Sequence, residues 1–255
     1  MSWRAWLDAT PIANVALALM RDATGREAPL EMLQPVRAAA LRDGCVIGCW
    51  SLSAGVGGST LAALIAHRSA AGGRAPILID LDRRVPVQAL RAERSAATIA
   101  DALLRPEELT SLTSRWGDVH FLPGCADLYR TWDGPRIAEI VSTLRERRPV
   151  VLDLGNGTES LDPDILAALD RLLIVVGPTV AQLQSTFCSI PLLDRSVKTA
   201  AVIIGVEADD GARIGSRLPW PVLGTIPRDP YLANDRFAAR APTIRAIDPV
   251  IRGLG

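Results

Sequence analysis

The sequence contains very little lysine. Lys198 is the single lysine among 28 basic residues, and the other 27 are arginines. The acidic residues also number 28, so the formal net charge is zero. This balance excludes the global field that attracts DNA, RNA or anionic membranes, and specific nucleic-acid binding is not expected. The cluster at Arg145, Arg147 and Arg148 is typical of a solvated helix end, with a local binding patch as the alternative.

Cysteine pairs, histidine clusters and long apolar runs are also missing. No CxxC spacing occurs among the four cysteines, so neither a zinc site nor a disulfide framework is indicated. His67 and His120 lie far apart and form no recognised motif with a cysteine, which argues against a metal hydrolase or a thiol enzyme. No apolar run approaches the roughly 18 residues of a membrane span, and no signal peptide is recognisable. We expect a soluble cytoplasmic protein.

Short apolar runs alternate with helical stretches along most of the chain. This alternation predicts an α/β fold with a doubly wound, mostly parallel sheet flanked by helices. Seven strands are predicted, at Cys45–Ser51, Pro76–Leu81, Val119–Leu122, Val150–Leu154, Leu172–Val176, Ala200–Val206 and Val222–Ile226. Helices are predicted at Thr60–Ala71, Arg136–Arg147, Asp164–Asp170, Val180–Leu193 and Leu232–Ala239. In such sheets ligands bind at the carboxyl ends of the strands.

Residues 1–44 stand apart from this rhythm, so we divide the chain into an N-terminal helical extension, 1–44, and an α/β domain, 45–255. Trp3 and Trp6 precede an apolar stretch from Ile12 to Met20. Two interpretations of the extension stay open. It packs as two helices on the domain, or its first segment is an amphipathic element that docks on a partner or on a membrane surface.

A glycine-rich segment follows the first strand and opens a helix, which is where a phosphate loop belongs. Its glycines allow successive backbone N–H groups to converge on phosphate oxygens at a positive helix end; they are Gly55, Gly57 and Gly58. Ser59 stands where a loop hydroxyl holds Mg²⁺, and Thr60 is placed to contact a phosphate nearer the base. A tight strand-to-helix turn without a ligand is the alternative interpretation.

The loop resembles that of the MinD/ParA ATPases, which runs lysine-glycine-glycine-valine-glycine-lysine-threonine-threonine over Ser53 to Thr60. The matching positions are Gly55, Val56, Gly57 and Thr60, with Ser59 conservative. The resemblance covers about residues 45 to 250 and implies a homodimer that binds ATP or ADP with Mg²⁺. Within the family, Ile79-Asp80-Leu81-Asp82 and the run from Leu161 to Val180 look closest to the CpaE/TadZ pilus-assembly branch.

Both lysines of the family loop are replaced. The signature lysine, which in the family reaches across the dimer, aligns with Ser53, and the phosphate-loop lysine aligns with Gly58. Lys198 lies near a later strand and cannot substitute. Because a cation at the transition state of phosphoryl transfer contributes about 10³ to 10⁵ in rate, we expect little or no hydrolysis.

Acidic residues at three strand ends complete the resemblance. The resemblance gives Asp82 the family's role of positioning the attacking water, although an aspartate at this place also suits a turn cap. Asp153 ends an apolar strand in the Walker B position and is the Mg²⁺-side candidate with Ser59. The turn Gly155-Asn156-Gly157 matches the family's second switch or is a plain turn. Pro227 and Asp229 match the turn beside the adenine pocket.

Three functions follow from the resemblance. The first is a localisation or assembly factor, at a septum, pole, pilus or secretion machine, that binds ATP weakly and recruits a protein partner. The second is a nucleotide-independent dimeric scaffold. The third is a slow ATPase that a partner's arginine completes. If the first segment of residues 1–44 docks on a membrane, the cytoplasmic protein would lie at the inner-membrane surface or a cell pole.

Overall fold

Eight strands form one sheet in the computed structural model, which describes residues 38–92, 97–126, 132–193, 197–232 and 239–254. The sheet order is β3-β4-β2-β5-β1-β6-β7-β8, and all neighbours are parallel except β3 and β4. The strands are β1 (Val46–Trp50), β2 (Ile77–Asp80), β3 (Ser114–Trp116), β4 (Val119–Leu122), β5 (Val150–Asp153), β6 (Arg171–Val176), β7 (Thr199–Ile204) and β8 (Val222–Ile226). The doubly wound fold predicted from the sequence is confirmed.

All seven predicted strands are present, and the eighth is β3 at the edge of the sheet. This strand has three residues, and it turns back antiparallel into β4 through Gly117, whose φ is +59°. The central strands β1, β2 and β5 are buried along their whole length. Their Val, Ile and Leu content reflects that burial on both faces of the sheet.

Nine α-helices flank the sheet within the described residues. They are α1 (Gly58–Ala71), α2 (Val87–Arg91), α3 (Ile99–Leu104), α4 (Leu109–Leu112), α5 (Gly134–Arg145), α6 (Pro163–Ala167), α7 (Val180–Ser189), α8 (Ala208–Gly215) and α9 (Ala241–Arg252). Three short 3₁₀ segments lie at Pro106–Glu108, Thr158–Ser160 and Ile190–Leu192. Four predicted helices appear with shifted ends, as α1, α5, α6 and α7. The predicted helix Leu232–Ala239 lies mostly outside the described residues.

The sheet separates two apolar cores. One lies under α1 and α9, and the other lies under α5 and α6. Leu41, which is 1% exposed, and Ala39 belong to the first core, so residues 38–44 pack into the sheet domain. Residues 1–37 of the predicted extension lie outside the described residues.

A buried ion pair holds α1 against α9. Arg68 Nε and Nη2 donate to the two carboxylate oxygens of Asp248, at 2.7 and 2.8 Å. The N–H of Ala39 also donates to Asp248 Oδ1, at 3.2 Å. Three parts of the chain therefore meet at one carboxylate.

Among the described residues, no helix is both long and apolar enough to cross a membrane.

Candidate phosphate and cation site

The glycine-rich loop joins β1 to α1 with the backbone geometry of an anion cradle. Gly55 and Gly57 have φ angles of +72° and +109°, the left-handed region that favours glycine. Gly57 is the N-cap of α1, and the helix has no acidic residue in its first turn. No side-chain cap bonds this helix end within the described chain. The first N–H groups of α1 are thus available to an anion.

The structure leaves room at the position where the family loop has its lysine. A Cβ added to Gly58 would meet Ser51 Oγ at 3.6 Å, which is ordinary contact, and the φ of Gly58 lies outside the left-handed region. A side chain is therefore compatible with the backbone here. Arg91, on α2, brings a cation to this end of α1, because its Nη2 donates to Thr60 Oγ1 at 3.1 Å. The sequence analysis did not identify Arg91.

Two carboxyl groups lie side by side under the loop. Asp80 ends β2 and Asp153 ends β5, and the two residues are register partners in neighbouring strands. Both are fully buried. Burial raises the pKa of the Asp80 carboxyl well above its usual value, and the nearby Asp153 raises it further. Burial also raises the pKa of Asp153, against hydrogen bonds from Gln88 and Ser59. Asp153 was predicted for this site, whereas Asp80 was not assigned.

Gln88 connects these acids to the glycine-rich loop. Its Nε2 donates to the Ser59 carbonyl at 2.6 Å and to Asp153 Oδ2 at 2.9 Å. Its own backbone N–H donates to Asp80 Oδ2 at 3.3 Å. Ser59 and Asp153, the two predicted Mg²⁺-side residues, are therefore brought together, and the residue between them was missed. No motif marks a glutamine eight positions beyond a strand end.

Asp82 lies in a capped turn and against the second switch turn. Its Oδ1 accepts the N–H groups of Arg84 and Val85 at 2.9 and 3.0 Å, as the turn-cap interpretation expects. A Cβ on Gly155 would come within 2.6 Å of Asp82 Cγ, and Gly155 has φ +64°. Asp82 and the candidate second-switch turn therefore touch, and glycine is required at their contact. The water-positioning role of Asp82 stays a prediction.

The turn after β8 is organised by Asp229. This residue is 7% exposed, and its Oδ2 accepts the N–H of Arg240 and the hydroxyl of Thr243, both at 2.7 Å. Asp229 therefore fixes the start of α9. A base-pocket role for Pro227 and Asp229 stays a prediction.

The Asp80 carboxyl makes the stability of the metal-free protein dependent on pH. Because its folded pKa lies above the unfolded value of about 3.9, its contribution is fully present below that value and is lost as pH rises through the folded pKa. We expect Asp80→Asn to remove this fall in the free energy of unfolding between the unfolded and the folded pKa. Urea unfolding at several pH values between 3 and 8 checks this expectation, with the exposed Asp209→Asn as control. Identical profiles for wild type and Asp80→Asn would contradict it.

Comparison with known proteins finds similarity in structure alone. No protein-family model matches the chain, and neither does any curated protein. MinD in the MinC:MinD complex of Aquifex aeolicus superposes with a TM-score of 0.69 at 22% identity, over 82% of this chain and 95% of that one. A ParA family ATPase from Chlorobium tepidum superposes with a TM-score of 0.68 at 16% identity, over 85% of this chain and 99% of that one. MinD from Pyrococcus horikoshii, solved with Mg-ADP, superposes with a TM-score of 0.66 at 16% identity, over 82% of this chain and 95% of that one. The chain therefore has the fold of the MinD/ParA ATPases.

Proposed function

We propose that this protein is a nucleotide-responsive localisation or assembly factor that binds ATP or ADP with Mg²⁺ weakly and hydrolyses ATP little or not at all. One observation carries the proposal. The backbone of the phosphate loop keeps its left-handed glycines and an uncapped helix end, while both lysine positions hold neutral residues, Ser53 and Gly58. Binding is thus supported by N–H groups, and the two loop lysines that the family uses in catalysis are missing.

The donor set around the loop fits magnesium. Mg²⁺ prefers oxygen ligands and is usually held by one or two carboxylates together with the substrate phosphates. Asp153 lies at the site with Ser59, and the buried amide oxygen of Gln88 has no hydrogen-bond donor among the residues that the structure describes. No group of three or more His, Cys, Asp or Glu side chains that could hold a metal occurs in the described ranges. The nucleotide would therefore have to supply part of the coordination.

Binding without turnover is sufficient for a switch. A ligand shifts a conformational equilibrium by its differential affinity for the two states, and hydrolysis is not required. The contact between Asp82 and Gly155 joins two segments that face this site, so ligand binding has a direct route to both. We propose that the responding state is a homodimer that recruits a protein partner at a pole, septum, pilus or secretion machine. MinD in the Aquifex structure is bound to MinC, which supports a protein partner here.

The finer assignments rest on the sequence. The CpaE/TadZ branch, and with it a pilus or secretion role, is proposed from Ile79 to Asp82 and the run from Leu161 to Val180. A cytoplasmic location with contact to the inner-membrane surface through residues 1–44 is proposed from Trp3, Trp6 and the apolar stretch after them.

An apolar surface beside the site favours a second candidate, the nucleotide-independent dimeric scaffold. Val180 is 82% exposed, and α7 and the segment after it also expose Phe187, Ile190 and Leu192. A groove of about 760 Å³ lies between α7 and α8, with apolar walls that include Leu183 and Ile214. Contiguous apolar patches of this kind mark interaction surfaces. Burial of this face against a second copy would hold a dimer without nucleotide.

Calorimetric titration with ATP and ADP, each with and without Mg²⁺, tests the proposal, with molar mass followed in the same samples. We expect Mg²⁺-dependent binding with Kd between micromolar and millimolar and a shift toward dimer. Gly57→Ala should weaken binding at least tenfold, because an added Cβ strains the left-handed residue that shapes the loop.

Gly73→Ala is the matched control, because Gly73 also has a positive φ, +90°, and lies just beyond the opposite end of α1 with open space around it. Its backbone strain is similar, yet nucleotide affinity should be unchanged. No binding at millimolar nucleotide would exclude the proposed switch. A dimer that forms equally with and without nucleotide would support the scaffold.

A further inference from the structure

Gln88 has a buried polar atom that the protein itself does not satisfy. The side chain is 0% exposed, and its Nε2 makes two hydrogen bonds while Oε1 has no donor within the described part of the chain. A buried acceptor left without a partner destabilises the folded state. Such a group in a folded protein calls for an explanation, and an ion or water is the usual one.

The surroundings of this oxygen select a cation over an anion. The amide nitrogen of Gln88 donates to Asp153, and the backbone N–H of Gln88 donates to Asp80. Two buried carboxyl groups are therefore its immediate neighbours. The Ser59 carbonyl oxygen accepts a hydrogen bond from the same amide nitrogen. Within the described residues, no arginine or lysine side chain hydrogen-bonds to the carboxyl group of Asp80 or Asp153. An oxygen-rich, acidic and buried environment is the one that hard divalent cations occupy.

We propose that Gln88 is a cation-site residue, with Oε1 binding the divalent cation of the proposed nucleotide site directly or through one of its waters. This inference rests on the proposed function for the phosphates that complete the coordination. The amide nitrogen keeps its bonds to Ser59 and Asp153 while the oxygen faces the ion. Gln88 thereby orients both predicted Mg²⁺-side residues and contributes a ligand of its own.

Gln88 also links the cation to α2. Arg91 is one turn along the same short helix and donates to Thr60, so two side chains of α2 bond to consecutive residues of α1. Residues three apart lie on one helix face. Occupancy of the cation site therefore acts on the position of α2, which follows Asp82 in the chain.

Titration of Mn²⁺, alone and with ADP, tests the inference, with bound Mn²⁺ followed by electron paramagnetic resonance. We expect Gln88→Met to weaken Mn²⁺ binding about 10- to 100-fold, as loss of a ligand or of its orienting partner does. The affinity for ADP without metal should change less than threefold. Gln184→Met, which changes an exposed glutamine on α7, should leave both affinities unchanged.

A second variant separates a ligand from a purely structural residue. Gln88→Glu keeps the shape and an oxygen but adds charge beside Asp153, so we expect it to melt lower without metal and to gain more from Mn²⁺ than wild type. If Gln88 serves packing alone, Mn²⁺ will raise the melting temperature of wild type and both variants equally, and the inference fails. Wild type that binds ADP·Mn²⁺ no better than Gln88→Met also overturns it. Wild type that binds neither ADP nor Mn²⁺ removes the proposed function as well.

Discussion

Gly58→Lys is expected to raise the affinity for ATP·Mg²⁺ at least tenfold. A lysine here restores the cation that grips the terminal phosphates in phosphate-loop enzymes. Hydrogen bonds to charged groups contribute about 1.5 to 3 kcal/mol, which corresponds to roughly 10- to 150-fold in Kd. The backbone accepts the side chain, because the nearest atom to its Cβ would be Ser51 Oγ at 3.6 Å. Calorimetry with ATP·Mg²⁺ measures the gain.

Gly58→Met is the control for the lysine variant, since it adds similar bulk without charge and should not increase affinity. Adding Ser53→Lys restores the second cation, which in the resembling family acts across the dimer, and the double variant should hydrolyse ATP faster than either single variant. If Gly58→Lys binds ATP no better than wild type, the loop is a structural turn and the nucleotide proposal loses its main support.

Asp248→Ala is expected to destabilise the fold by about 3 to 5 kcal/mol, because it leaves the Arg68 guanidinium buried without its partner. The side chains of the pair are 5% and 8% exposed, so water does not replace the lost carboxylate. Urea unfolding measures the change. Arg68→Met combined with Asp248→Leu should recover most of the loss, because it removes both charges and fills the space.

The exposed pair of Arg213 and Asp210 supplies the control for this experiment. Asp210→Ala should cost at most about 1 kcal/mol, as exposed ion pairs do. Burial favours a raised pKa for Asp248, but hydrogen bonds from Arg68 and Ala39 outweigh it and lower the pKa. The stabilisation is therefore present above the unfolded value of about 3.9 and is lost as pH falls through the folded pKa. A difference between wild type and Asp248→Ala that persists unchanged below pH 3 would contradict this account.

The parts of the fold that follow from burial were predictable from the sequence. Strands such as β5 and β6 are apolar because both faces of the sheet are covered, and that pattern is visible without coordinates. Strand β3 was missed because Ser114 to Trp116 is a short, half-exposed edge. Helix α9 was not predicted. It contains two prolines, of which Pro242 occupies a permitted first-turn position and Pro249 lies in the last turns.

The candidate site was predictable where a motif fixes the backbone and not where side chains approach from elsewhere. Gly57, Ser59 and Asp153 were identified because their spacing from strand ends defines their place in space. Gln88 and Arg91 were missed because a five-residue helix after an irregular turn has no sequence signature. Their roles depend on how α2 packs, which only the folded chain determines.

The buried ion pair between Arg68 and Asp248 fixes the C-terminal end of α1. This helix has 14 residues and is about 21 Å long, with the phosphate loop at its first residue and Arg68 near its last turn. The N–H of Ala39 is bonded to the same carboxylate, so residue 39 is connected to the far end of α1 through Asp248. The glycine-rich loop and the Asp248 ion pair therefore lie at opposite ends of one continuous helix. A force on the chain ahead of residue 39 would thus act on the Asp248 carboxylate and on the helix end that Arg68 holds to it.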